Sequence, residues 1–195
     1  MSEAEIKEKL HEDLQEARDA VIWKLEGLPP FQVRRPMVPT GTNLIGVVKH
    51  LAIVESGYLG ATFGRPFQET ERWFGDDYEP NSDMWASAEE TPESIVDLYR
   101  RVWAHSDATL RDLDLDTIGH VPWWDPGNRV TLLRITVYMI AETNRHAGHS
   151  DIVRELIDGS AGWRRGDDSM PSGDPSWWDA YRRRLEEAAE QAEAG

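Results

Sequence analysis

The 195-residue chain contains no cysteine. Disulfides and thiolate metal ligands are therefore excluded, and any sulfur chemistry must use a thiol that arrives from outside. Basic residues are scarce: 21 Lys and Arg stand against 36 Asp and Glu, a formal net charge of −15 at pH 7. A surface of that sign repels nucleic-acid phosphates and anionic lipid headgroups, so neither nucleic acid nor a membrane is expected as a partner. Long apolar runs are also missing. The longest candidate, Leu132 to Ala141, is interrupted by Arg134 and falls short of the ~18 residues that span a bilayer. The opening segment MSEAEIKEKLHEDL has no apolar signal-peptide core, and a cytoplasmic location is expected. β-strand signals are nearly absent.

What is present is a globular composition, 39% hydrophobic with nine Trp, rich enough to form a core without staples. Ile6, Leu10, Leu14, Ala17, Val21 and Leu25 recur at steps of three and four, which predicts a helix from Glu3 to Leu28. Gly27, Pro29 and Pro30 stop it. Thr42 or Asn43 caps a second helix that runs to about Phe63, with Leu44, Val47, Leu51, Val54 and Tyr58 inward. A long irregular segment from Pro66 to about Glu90 carries Trp73, Phe74, Tyr78 and Trp85; a loop of that length and aromatic content points to function or tight packing. Thr91-Pro92-Glu93 opens a third helix that reaches about Asp112, with Ile95, Leu98, Val102 and Leu110 inward. Another loop, His120 to Asn128, contains Trp123, Trp124 and the turn Asp125-Pro126-Gly127. A fourth helix spans about Val130 to Ile157 and ends at Gly159. A linker at about 159–174 leads to a final amphipathic helix at about 175–193. The expected fold is all-α: an up-down four-helix bundle in a single domain, 1–195, with the last helix packed on its outside.

The fourth helix is where chemistry surfaces. Its inward stripe reads Leu132, Ile135, Met139, Glu142, His146, His149, Val153, Leu156. Three polar residues in the middle of an apolar stripe are costly unless something pairs with them. Glu142 and His146 stand one turn apart on one face, so their donor atoms can converge. His50 interrupts the apolar stripe of the second helix, three residues after Val47 and four before Val54. Inward His and Glu on facing helices are how bundles build metal sites. Imidazole and carboxylate suit Zn²⁺, with Ni²⁺, Fe²⁺ and Mn²⁺ as alternatives. Three protein ligands leave an open position, as catalytic sites do.

Three segments carry a resemblance. They are Thr42-Asn43-Leu44-Ile45-Gly46-Val47-Val48-Lys49-His50-Leu51, continuing through Glu55 and Tyr58; Val121-Pro122-Trp123-Trp124; and Glu142-Thr143-Asn144-Arg145-His146-Ala147-Gly148-His149-Ser150-Asp151, continuing through Arg154-Glu155 and Ile157-Asp158-Gly159. Together they resemble the DinB superfamily of metal-binding four-helix bundles, in its actinobacterial-type branch of unknown-function domains. The resemblance runs from the first helix to about Trp178. In that superfamily one His from the second helix and two residues one turn apart on the fourth hold the metal. Many members use His at both fourth-helix positions. Glu142 at the earlier one is similar to the mycothiol-dependent maleylpyruvate isomerases. The ligands that the resemblance implies are thus His50, Glu142 and His146.

The resemblance implies a divalent-metal-dependent transferase or isomerase that uses a low-molecular-weight thiol such as mycothiol or bacillithiol against a small electrophile. A metal-dependent hydrolase and a non-enzymatic stress-response protein are the alternatives. His149 has three open roles: fourth ligand, partner to a ligand, or general base that takes the thiol proton. Arg145 and Arg154 flank the motif and offer contacts to carboxylates of a cofactor or substrate, although a solvated salt bridge is the simpler reading for Arg145. Trp73, Trp85, Trp123 and Trp124 either wall the site or plug the end of the bundle. His11 and His105 read as helix-surface residues and His120 as a loop residue. Relatives are commonly homodimers.

Overall fold

The computed structural model describes residues 1–75, 78–124, 128–167, 170–171 and 173–193. The turn Asp125-Pro126-Gly127 lies outside the described residues. The elements are α1 (Glu3–Ile22), α2 (Pro30–Arg34), α3 (Leu44–Leu59), α4 (Pro92–Asp112), β1 (Ile118–His120), β2 (Arg129–Thr131), α5 (Leu132–Asp158) and α6 (Pro175–Glu193), with 3₁₀ turns at Trp23–Leu25, Ala61–Phe63 and Gln68–Phe74.

Local chemistry sets the helix ends. The Asn43 side chain accepts from the Gly46 amide at 2.8 Å, so Asn43 rather than Thr42 caps α3. Thr91 and Thr131 cap α4 and α5 in the same way. Gly159 ends α5 in the left-handed region, at φ 78°, where glycine bears no Cβ penalty. The first helix is shorter than its apolar stripe suggests. It tightens into a 3₁₀ turn at Trp23–Leu25, and Pro30 then opens the short helix α2 instead of merely ending α1.

The long helices pack in the cyclic order α1, α4, α3, α5. The connections 23–43 and 113–131 thus link diagonal partners, whereas the consecutive helices α3 and α4 are neighbours in the ring. Apolar periodicity does not specify that order. Arg18 on α1 and Glu55 on α3 bridge one diagonal. Both are fully buried and joined in a fork, Nε to Oε2 at 3.2 Å and Nη2 to Oε1 at 2.5 Å. A third donor of Arg18 reaches Asp107 on α4 at 2.8 Å.

Helix α3 is the core helix: 14 of its 16 residues are buried. The two exceptions, His50 and Val54, face the cavity described below. Among the described residues, Leu44–Phe63, not Leu132 to Ala141, is the segment long and apolar enough to cross a membrane, but the fold buries most of it. Helix α5 departs from its expected stripe. Thr136, Thr143, Ala147, Ser150 and Arg154 join Leu132, Ile135, Met139, His146 and Val153 inside, while Leu156 is 58% exposed. The inward face is rotated, which moves Glu142 to its rim.

A small hairpin, missed by the sequence reading, pairs Ile118 with Thr131, Gly119 with Val130 and His120 with Arg129. Three-residue strands are too short to display alternation. A Cβ on Gly119 would come within 2.7 Å of Phe63 and the Thr62 carbonyl, so glycine lets the hairpin lie against the 3₁₀ turn that follows α3. Val121 follows, fully buried, and aims Trp123 and Trp124 across the bundle. Helix α6 forms as expected but contributes no buried residue.

Candidate metal centre

The site begins with a close approach. A Cβ on Gly46 would stand 1.8 Å from the Met84 carbonyl oxygen, so glycine alone lets the 66–90 segment lie against α3 there. The Asn43 amide donates to the same carbonyl at 3.2 Å. Lys49 adds a bond to the Trp85 carbonyl at 3.0 Å and an ion pair to Glu90 at 2.9 Å. Arg34 on α2 grips the carbonyls of Ser87 and Glu90 from the other side. This docking delivers Asp83 to His50, one turn after Gly46. Nδ1–H of His50 donates to Asp83 Oδ2 at 2.5 Å, and the Tyr78 hydroxyl donates to Asp83 Oδ1 at 2.5 Å. The ring is thereby held with its other nitrogen, Nε2, directed inward.

Helix α5 supplies the opposing donors. Glu142 Oε1 lies 3.1 Å from His146 Nε2 and 3.8 Å from His50 Nε2. The two imidazole centroids are 4.8 Å apart. The ligand atoms of His50, Glu142 and His146 all lie within 4.8 Å of one another. Donors around a tetrahedral ion at about 2.1 Å stand roughly 3.4 Å apart, and the two Glu142 distances bracket that spacing. The set fits a divalent ion chemically: two nitrogens, one carboxylate oxygen and a carboxylate behind one imidazole.

Electrostatics favours neutral imidazole. Burial, then the neighbouring His50, pulls His146 down from 6.5 to about 4 despite the pull of Glu142 in the other direction. Its ring is therefore unprotonated at neutral pH and has a lone pair to offer. Nδ1 of His146 is buried without a hydrogen-bond partner among the described residues, so no protein group competes with Glu142 to orient this ring. Burial pushes Asp83 upward, but its bonds to His50 and Tyr78 outweigh that and hold it at about 2. It is a fixed anion behind His50.

The remaining sequence candidates fall elsewhere. His149 is exposed, packed edge-on against His146 at 5.3 Å and outside the convergent group. Arg154 is buried with its guanidinium engaged by Asp158 and by the Lys24 and Glu26 carbonyls; it does not line the cavity beside the ligands. Arg145 is exposed. His11 faces Asp107 at 3.2 Å and His120 is exposed at the end of β1. His105 is more than a surface residue, because its Nε2 donates to the Arg65 carbonyl at 2.7 Å.

A cavity of about 560 Å³ opens directly beside His50 and Glu142, within the range of small-molecule sites. Trp73 and Trp123 line it. Trp124 instead buttresses the wall: it and Trp123 both donate Nε1–H to the Tyr58 hydroxyl, at 3.2 and 3.3 Å. Trp85 lies outside and is 51% exposed. A second cavity of equal volume lies between α1 and α4; Lys7 pairs there with Glu3 and His11 with Asp107, and its residues form no convergent donor set among the described residues. The sequence reading missed Asp83 as a partner of His50. A lone Asp in an irregular loop has no periodicity to reveal its direction. Tyr78 and Phe74 carried only their aromatic character as a signal.

No individual curated protein matches the chain. The family model described as mycothiol-S-transferase matches residues 9–159, a span that contains most of α1, both helices of the convergent triad and the loops that wall the cavity. This agrees with the DinB-like resemblance of the three motifs. On that match, which covers most of its length, the chain belongs to the mycothiol S-transferase family.

Proposed function

We propose that the protein is a divalent-metal-dependent S-transferase that joins a mycothiol-type thiol to a small electrophile. The observation that carries this reading is the convergence of His50, Glu142 and His146 at the wall of an aromatic cavity, in a chain with no thiol of its own. A bound divalent ion supplies Lewis acidity that holds an incoming thiol as thiolate at neutral pH. Asp83 keeps the His50 tautomer fixed, with Nδ1 protonated and Nε2 free to bind. His149, exposed beside His146, is assigned to carry the thiol proton to solvent. It is not assigned as a ligand, because it stands outside the triad. An open coordination position supports transfer over a closed structural site. Arg154 is assigned a structural role, since its donors are already engaged. The proposal includes a cytoplasmic location, where small thiols are kept reduced, and a homodimer.

The test starts with protein purified without an affinity tag and analysed for metal by mass spectrometry. Wild-type protein is expected to carry near-stoichiometric divalent metal, and His50→Ala and His146→Ala to carry none. On the Co²⁺-substituted protein, added mycothiol should produce a sulfur-to-metal charge-transfer band. Full metal in both variants, or no spectral response to thiol, would refute the reading.

A further inference from the structure

We infer that the cavity beside His50 and Glu142 admits an uncharged, planar aromatic electrophile and selects against anionic ones. This deepens the thiol-transfer reading and rests on it for the identity of the attacking atom.

The walls are aromatic faces. Phe74 and Trp123 stack at 5.2 Å with an interplanar angle of 20°. Tyr58 meets Trp123 edge-on at 5.1 Å and Tyr138 at 4.9 Å. The indole N–H groups of Trp123 and Trp124 are occupied by the Tyr58 oxygen, so Trp123 turns ring surface, not a donor, to the cavity. Such a slot matches a flat π-system, which stacks offset or edge-on against aromatic side chains. The slot also depends on one position of α3. A Cβ on Gly57 would lie 2.7 Å from the Trp123 ring and 2.8 Å from Phe74, so a bare backbone is what lets the stacked pair sit there.

The charge of the lining sets the second half of the inference. Glu142 and Asp83 line the cavity, and no Lys or Arg does. The residues outside the described segments include no Lys or Arg either. Two of the three cations near the rim are committed elsewhere. Lys49 is paired with Glu90 at 2.9 Å. Arg72 lies over the Trp73 ring at 3.8 Å, with Glu90 3.9 Å from its guanidinium. Arg145 is exposed and acts on the Tyr138 phenol from the rim. The charge of a divalent ion would be largely offset by Glu142 and an incoming thiolate. The Asp83 carboxylate is then left over, and no Lys or Arg in the lining offsets it, so a carboxylate on the electrophile would meet net negative charge.

The step this implies is nucleophilic aromatic substitution. The thiolate sulfur forms a bond to the ring carbon that bears the leaving group. The bond from that carbon to chlorine then breaks and its electron pair departs with chloride. The thiol proton passes to solvent, and nothing is oxidised or reduced.

The experiment separates binding from chemistry. Calorimetric titration of the full chain uses two arenes without a leaving group, neutral 1,3-dinitrobenzene and anionic 3,5-dinitrobenzoate. The neutral ring is expected to bind at least tenfold tighter. Trp123→Ala and Gly57→Ala should each weaken it at least tenfold, with folding verified by circular dichroism, and Trp85→Ala should leave it unchanged. Equal or tighter binding of the anion, or indifference to both Trp123→Ala and a second wall variant, Trp73→Ala, would overturn the inference. Turnover with mycothiol then compares 1-chloro-2,4-dinitrobenzene with 4-chloro-3,5-dinitrobenzoate. Selective binding with no transfer of either would sink the transferase reading and leave the cavity's selectivity standing. Transfer that favours the anion would do the reverse.

Discussion

At the scale of single residues, Asp83 decides which nitrogen of His50 is available. Its carboxylate accepts a hydrogen bond from Nδ1–H and is itself fixed by the Tyr78 hydroxyl. An imidazole so held presents Nε2 with raised basicity and little freedom to rotate, and loss of such a partner typically weakens metal binding by about 10–100-fold. Asp83→Ala is expected to weaken metal affinity within that range in a chelator-competition assay, without loss of the fold. Unchanged affinity would mean that α3 alone orients the ring. Burial, then Asp83, pushes the Tyr78 hydroxyl up to about 12. Its proton therefore stays in the bond to Asp83 at any working pH.

At the scale of elements, the site depends on how one loop docks on one helix. Gly46 lets the Met84 carbonyl touch α3, and Asp83 is the preceding residue. Alanine favours a helix interior over glycine by about 1 kcal/mol, so Gly46→Ala would stabilise an isolated α3. In the protein the added Cβ overlaps the Met84 backbone, and overpacking of this kind costs about 1–3 kcal/mol. The expected outcome is a lower melting temperature together with weaker metal binding, measured on the same samples; a rise in melting temperature would show that the loop yields freely. The same contrast between helix and loop explains what the sequence discloses. His50, Glu142 and His146 are legible because helical periodicity fixes their direction once their elements are recognised. Asp83 is illegible because its direction comes from a carbonyl contact 38 residues away, between Gly46 and Met84. The hairpin is too short to show a period. Arg18 and Lys24 are fully buried, which local periodicity does not signal because their partners Glu55 and Asp151 lie far off in the chain. Leu156 errs in the opposite direction, exposed near the C-terminal end of α5.

At the scale of the whole molecule, two buried sets of charge constrain stability. The Arg18–Glu55 pair joins α1 to α3 across the bundle with no solvent access to either side chain. Removing one member leaves the other charged and unpaired, which costs about 3–5 kcal/mol. Glu55→Ala should lose stability of that order in urea denaturation, and a loss below about 1 kcal/mol would mean that Asp107 alone satisfies Arg18. The second set gives a pH dependence. In metal-free protein His146 is held at about 4 against 6.5, so the unfolded chain takes up a proton before the folded one does. The stability from the neutral ring is present above pH 6.5 and lost as pH falls toward 4. Asp83, held at about 2 against 3.8, adds a contribution present above 3.8 and lost as pH falls toward 2. The metal-free melting temperature should fall from pH 6.5 to 4, and less steeply in His146→Gln; a flat profile would show that the folded ring accepts the proton freely. The triad stands on two packed helices, whereas Trp73, Phe74 and Trp123 come from connecting segments that merely lean on α3 at Gly57. On the proposed transfer reaction, chemistry and choice of substrate would therefore be encoded largely in separable parts of the chain. Mutation in the connections can retune which molecule is modified while the reactive centre stays intact, so one scaffold can diversify into many specificities without reinventing its reaction.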